Sequence, residues 1–358
     1  MYHRFSLKFI VSRWANFYFF VDNFSEHVEY ARKRYNQAFL VRLGPLKQKE
    51  RTALVQYCGL VKTLEAHKTY QIFNATFYQQ RINQAQIWKS LERILTEKER
   101  QVLKRIFMVW ENRFSKTWRR HYPILKHNRL VLNEYCKKNH SVLREAFKRL
   151  KAFYGVESIP AQAEVYLIMM PLTVYTQGGR KIVHTKISLE TGLLNPHPPH
   201  LENVLLLILH EFTHAFFETE EYKQQLNDFL VNQPFLINLP FKKSFATELF
   251  REVIIASLIW NSLVVEKLNK NRAHQLNEFF KHLTNRLSAA KAAGEQKKII
   301  FDLNIIKMYL AWKMEKTVKK YFLTRRQLDK YFFNCVYNIL KNYPRNFFQD
   351  LKKGKGGY

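Results

Sequence analysis

Between Leu46 and Tyr154 the chain carries a single glycine, Gly59, and a single proline, Pro123. Tight turns depend on such residues, so a stretch this long with so few of them excludes a meander of short strands and requires long helices. The apolar residues of "LVQYCGLVKTL" and "SLERILTEKERQVLKRIFMVWENRF" recur every three or four positions with charges between them, the period of a half-buried helix. "RLGPLKQKE" from Arg42 to Glu50 marks one loop, and Pro123 is expected to mark another. The segment "MYHRFSLKFIVSRWANFYFFVDNF" is basic and then apolar, like an export signal. Arg13 and Asn16 interrupt its apolar part and no small-residue cleavage site follows, so it reads as a core helix.

The texture changes after Tyr154. Gly155, Pro160, Gly178, Gly179 and Gly192 fall close together with four more prolines before Leu201. "AEVYLIMM" reads as a buried strand, and "KIVHTKISL" alternates Ile182, His184, Lys186 and Ser188 against Val183, Thr185, Ile187 and Leu189. Gly178-Gly179 is the hairpin signal between the two. Helical patterns return after Pro199, broken near "NQPFLINLPFKK" and "AAGEQKK". The predicted fold class is α+β, helix-dominated, with a small sheet near the helix that follows Pro199. Three regions are expected: a helical N-terminal part (1–154), a mixed part (155–345) and a flexible basic tail (346–358).

With 47% apolar residues the chain is globular rather than disordered. Cys58, Cys136 and Cys335 are far apart and form no CxxC, which excludes a disulfide scaffold and a cysteine zinc site and favours a reducing, cytoplasmic setting. No run approaches the roughly 20 apolar residues that span a bilayer. The 59 Lys+Arg against 29 Asp+Glu give +30, but the charge is dispersed and no nucleic-acid motif accompanies it. Weak, nonspecific nucleic-acid binding is the expectation.

The stretch "NVLLLILHEFTHAFFETEE", Asn203–Glu221, sets two histidines and a glutamate inside an apolar run. HExxH places His210 and His214 one helical turn apart, about 40° around the axis, with Glu211 in the same arc. Leu205 to Leu209 before it and Ala215 to Phe217 after it make the helix apolar all round. Burying these three polar groups unpaired would cost roughly several kcal/mol, which a metal held by two imidazoles removes. His197 and His200 in "NPHPPH" are expected on the surface.

"ILHEFTHAF" resembles the active-site helix of zincin metallopeptidases. Phe217 and Glu220 depart from HExxHxxGxxH, so the resemblance is to the gluzincins, the thermolysin-like group, and not to the metzincins. It is a distant one, strong at HExxH and moderate at a later glutamate helix, covering about 160–260. It implies a third ligand from that helix, for which "SFATELFREVIIASLIWN" offers Glu248 and Glu252 on one face. In the gluzincin pattern the first would be the ligand and the second an acid bonded to a ligand histidine. Thr247 stands where that pattern has Asn, and Glu252 where it has Asp, so Glu252 stays the alternative third ligand.

The resemblance implies one Zn²⁺ per chain, a peptide or protein substrate pairing with the strand before the helix, and Glu211 as general base. Tyr309, Tyr321, Arg325 and Tyr331 are candidates for steadying the transition state. Two competing functions are a retired zincin scaffold that binds nucleic acid or acidic proteins, and a membrane-surface protein using the basic aromatic N-terminus.

Overall fold

The structure, a computed structural model, describes residues 5–27, 33–157, 160, 162–171, 176–183, 185–194, 198–233, 246–261, 278–283, 285–287, 299, 302–343 and 345–353. The chain forms two compact units, one from 1–138 with 160–215 and the other from 139–159 with 216–358. They are not the consecutive segments that the shift in composition after Tyr154 suggested. Strand pairing ties 162–191 back to the N-terminus, and one helix of the helical half joins the later chain.

The first unit has a four-stranded sheet of β1 (Ser6–Ile10), β2 (Gln162–Met169), β3 (Thr176–Val183) and β4 (Lys186–Thr191) in the order β1-β2-β4-β3. β1 and β4 both run parallel to β2, with Phe9 opposite Val165 and Val165 opposite Ile187, while β3 is antiparallel to β4. Val165 to Met169 are all buried, as in a parallel strand covered on both faces.

Three expectations are corrected here. Ser6–Ile10 is a strand and not helix; α1 (Arg13–Ser25) starts only after Ser12, whose hydroxyl accepts the Ala15 N–H at 3.2 Å. Five residues are too few to show a period, and the partner strand is distant in sequence. Gly178-Gly179 lies inside β3, beside a register irregularity, and β3 ends at Val183 with its antiparallel partner β4 starting at Lys186, so "KIVHTKISL" spans two paired strands. His184 itself lies outside the described residues. Pro123 breaks nothing: α6 runs from Glu97 to Lys138 through it.

A proline inside a helix costs about 3 kcal/mol. Here its exposed position faces away from a buried stripe that continues on both sides through Phe114, Thr117, His121, Leu125 and Leu132. Each fully buried Leu or Phe contributes about 1.5–3 kcal/mol, so the stripe wins. The other helices of this unit are α2 (Lys33–Leu43), α3 (Gln48–Ala66), α4 (Tyr70–Phe77), α5 (Gln84–Leu91) and α8 (Pro198–Phe212).

α6 packs on β1 and β2, α1 packs on β2, and α8 packs on β3 and β4. Two buried asparagines fix these contacts. Asn16 donates to the Leu167 carbonyl at 3.0 Å and accepts the Met169 N–H at 2.8 Å, which explains a polar residue in the apolar run of α1. Asn128 of α6 accepts the Leu194 N–H at 3.0 Å and donates to the Gly192 carbonyl, holding the chain that leads into α8.

His121 gives this unit a pH dependence. Burial, aided by the charges of Arg42 and Arg120, lowers its pKa to about 4 from the ordinary histidine value of 6.5. The unfolded chain therefore binds a proton that the folded one refuses, and stability falls as pH drops from about 6.5 to about 4, by at most about 3 kcal/mol. Urea titrations of wild type and His121→Gln across that range should show a flatter profile in the variant. Identical slopes would exclude this origin.

The second unit is helical: α7 (His140–Tyr154), α9 (Glu220–Val231), α10 (Ala246–Trp260), α11 (Leu303–Lys313), α12 (Glu315–Thr324), α13 (Lys330–Lys341) and α14 (Arg345–Lys353). α10 contacts α9, α11, α12 and α13, with Leu249, Phe250, Val253, Ile254 and Ile255 fully buried. α7 ends at Gly155 with φ +66, the left-handed cap that glycine adopts without strain. The part of the expected basic tail that the structure describes, up to Lys353, is helical: α14 buries Phe347 against Tyr309 and Tyr343, with ring centroids 5.3 Å apart in both pairs.

Candidate metal centre

α8 carries HExxH. Leu201, Val204, Leu205, Ile208, Leu209 and Phe212 are buried, which sets its rotation and leaves His210 and Glu211 half-buried. Past Phe212 the backbone widens into a π turn, Thr213–Phe217, with the Thr213 hydroxyl donating to the Leu209 carbonyl at 2.7 Å. Such turns are rare and concentrate at functional sites, and periodicity in the sequence does not reveal them. His214 lies in this turn and is buried. Its ring stands edge-on to that of His210, centroids 4.9 Å apart.

Ligand atoms of His210, His214 and Glu252 lie within 4.8 Å of one another, a group that can hold a metal ion. Ligand atoms of a tetrahedral site with bonds of about 2.0–2.1 Å lie about 3.4 Å apart, against the 4.8 Å within which these three lie. The donors fit a metal: two imidazoles and a carboxylate are three protein ligands, and tetrahedral coordination leaves a fourth position open.

The two downstream glutamates separate clearly. Glu252 is in the group, and its Oε2 also meets the Lys307 ammonium from α11; a carboxylate has a second oxygen for the metal. Glu248, expected as the third ligand, is not in the group. Its Oε2 accepts from Arg251 Nη1 at 2.6 Å and it is more exposed than Glu252, 44% against 14% for the side chains. The expected order of preference put Glu248 first; the group that could hold a metal includes Glu252 instead, one helical turn further along α10.

Arg251 bridges that helix to the chain just past HExxH. Its Nε donates to Glu218 Oε2 at 3.0 Å, and its Nη2 meets the same oxygen. The Glu218 side chain is fully buried. Burial alone would lower the Arg251 pKa, but the Glu218 bond and the charges of Glu218 and Glu248 outweigh it and push it above the usual arginine range. Removing one partner of such a pair typically costs about 3–5 kcal/mol. Nearby, Tyr154 and Tyr222 have buried hydroxyls without a hydrogen-bond partner among the described residues, and burial raises the pKa of both well above the ordinary tyrosine value.

Glu218, Arg251 and Lys307 were not singled out in the sequence. Glu218 had one legible sign, being the first acid after the buried Phe216 and Phe217; Arg251, an ordinary basic residue between two glutamates, had none. Of the transition-state candidates, Tyr309 donates to Asp350 at 2.7 Å and Tyr321 to Asp329 at 2.6 Å, and both are buried, so their hydroxyls are already committed. Tyr331 is exposed. His197 lies outside the described residues, as does the side chain of His200.

Comparison with known proteins adds no constraint: no family model matches the chain, and neither do curated proteins or solved structures. Among the described residues, no helix is long and apolar enough to cross a membrane.

Proposed function

We propose that the chain is a zinc-dependent peptidase of gluzincin type, with His210, His214 and Glu252 holding one metal ion. The observation that carries this reading is the grouping of Glu252 with two histidines one turn apart, with Glu211 between them in sequence. Zn²⁺ bound there would supply a Lewis acid, acidifying water and polarising a carbonyl. Glu211 is left off the metal: its carboxylate takes a proton from the attacking water and hands it to the amide nitrogen as the C–N bond breaks. Arg251 holds Glu248 and Glu218 and so steadies the helix that presents Glu252.

β3 is the edge of its sheet and packs beside α8, which supports an extended peptide adding to that edge through backbone bonds. Free thiols at Cys58, Cys136 and Cys335, with Cys136 pushed up to about 12 by burial, suit the cytoplasmic location we infer.

The test is metal removal. Chelator-treated protein should lose hydrolysis of an unfolded protein substrate, and about one equivalent of zinc per chain should restore it. Activity that survives complete removal of metal, or a zinc-loaded protein inert towards a broad peptide library, would reject the proposal.

A further inference from the structure

A cavity of about 500 Å³ lies within the second unit, between α7 and the end of α12, and has no part in the peptidase reading. Its size falls within the roughly 300–1,000 Å³ usual for small-molecule sites. Five cations line it, Lys148, Arg149, Lys151, Arg325 and Arg326, against one acid, Glu145. Phe153, Tyr321 and Phe322 form its apolar part and are buried.

The ordinary explanation is that basic residues gather where helices end, and both α7 and α12 end here. It accounts for part of the charge. Each helix C-terminus carries about −0.5, so two supply about −1. Glu145 pairs with Arg149 at 3.3 Å, and Asp329 takes Arg326 with Nε at 2.8 Å. Lys148, Lys151 and Arg325 have no ion-pair partner among the described residues. Three cations less about one unit of helix charge leave an excess of about +2.

Arg325 adds a second observation. It caps α12 with φ +52, in the left-handed region where glycine is the usual residue. A non-glycine there costs of order 1–3 kcal/mol and persists where the surroundings or a function hold it. Glycine would relieve the strain, and arginine puts a guanidinium at the cavity instead.

We propose that this cavity binds a phosphate-bearing anion, a mono- or diphosphate group, through Lys148, Lys151 and Arg325. A phosphate carries about −1.5 to −2 on three acceptor oxygens, which matches the local excess, and guanidinium binds it bidentately. The aromatics that line the cavity are buried and provide no exposed ring for stacking bases, so a small anion suits the site better than a nucleic-acid strand.

Calorimetry of the full chain with pyrophosphate at physiological ionic strength tests this. Two triple variants of equal charge are compared: Lys148→Gln/Lys151→Gln/Arg325→Gln, and Lys49→Gln/Lys62→Gln/Lys98→Gln on exposed positions of the first unit. Affinity should fall roughly tenfold or more in the cavity variant and less than about twofold in the other, which removes the same charge from residues that do not line the cavity. Equal losses would show a general charge effect and overturn the site. So would the absence of pyrophosphate binding to wild type, or preference for an acidic peptide or a single-stranded oligonucleotide over pyrophosphate. If the site holds, adenosine diphosphate and vesicles containing phosphatidic acid distinguish a nucleotide from a lipid headgroup as the source of the phosphate. Circular dichroism of the cavity variant guards against misfolding, and Lys148→Gln alone, on an exposed position, should give a smaller loss in the same direction.

Discussion

His210→Ala, His214→Ala and Glu252→Ala should each strip the protein of zinc at micromolar metal, whereas Glu248→Ala should keep it. The two glutamates make this a sharp comparison because they lie one turn apart on the same helix and differ only in what they face. Glu252 belongs to the group with the two imidazoles, and Glu248 is engaged by Arg251 at 2.6 Å. Loss of a residue that only orients a metal site costs typically about 10–100-fold in affinity, so Glu248→Ala should fall within that range and the three ligand variants beyond it. Zinc competition titrations of the four variants measure this directly. A larger loss at Glu248 than at Glu252 would return the third-ligand role to Glu248. Because His214 is buried, its alanine variant is compared with wild type for thermal unfolding without metal, which separates a lost ligand from a lost fold.

Glu211→Gln should behave differently from all four. Glutamine keeps the shape and the hydrogen-bonding reach of the side chain, and Glu211 lies outside the metal-holding group, so zinc content should stay near one per chain. Hydrolysis should nevertheless drop by roughly 10²–10⁴-fold, the usual contribution of a positioned proton carrier. The glutamine amide cannot accept the proton from water at neutral pH. A loss below about tenfold on a substrate cleaved by wild type would exclude Glu211 from that role and point to another base.

Much of the local structure was legible in the residues. The scarcity of glycine and proline and the apolar period announced the long helices, the run "AEVYLIMM" announced β2, and HExxH inside an apolar run announced two histidines one turn apart on a mostly buried helical segment. These are statements about neighbours in sequence, where a period or a spacing is enough. β1 was missed for the complementary reason. Its pairing with β2 joins Ser6–Ile10 to residues beyond 160, and a five-residue strand leaves no period to read. Pro123 was misread because a local rule was applied to a helix held by a buried face far longer than one turn.

The sequence by itself placed His210, Glu211 and His214 within about one helical turn of each other on the helical segment after Pro199. It also narrowed the third ligand to two carboxylates. Only the tertiary structure gives the two carboxylates different surroundings: Glu252 stands in the group with the two histidines and meets Lys307, while Arg251, anchored on buried Glu218, holds Glu248. The π turn at Thr213–Phe217 belongs to the same class of fact. Burial and ion pairing are sums over residues far apart in the chain, and no local pattern carries them.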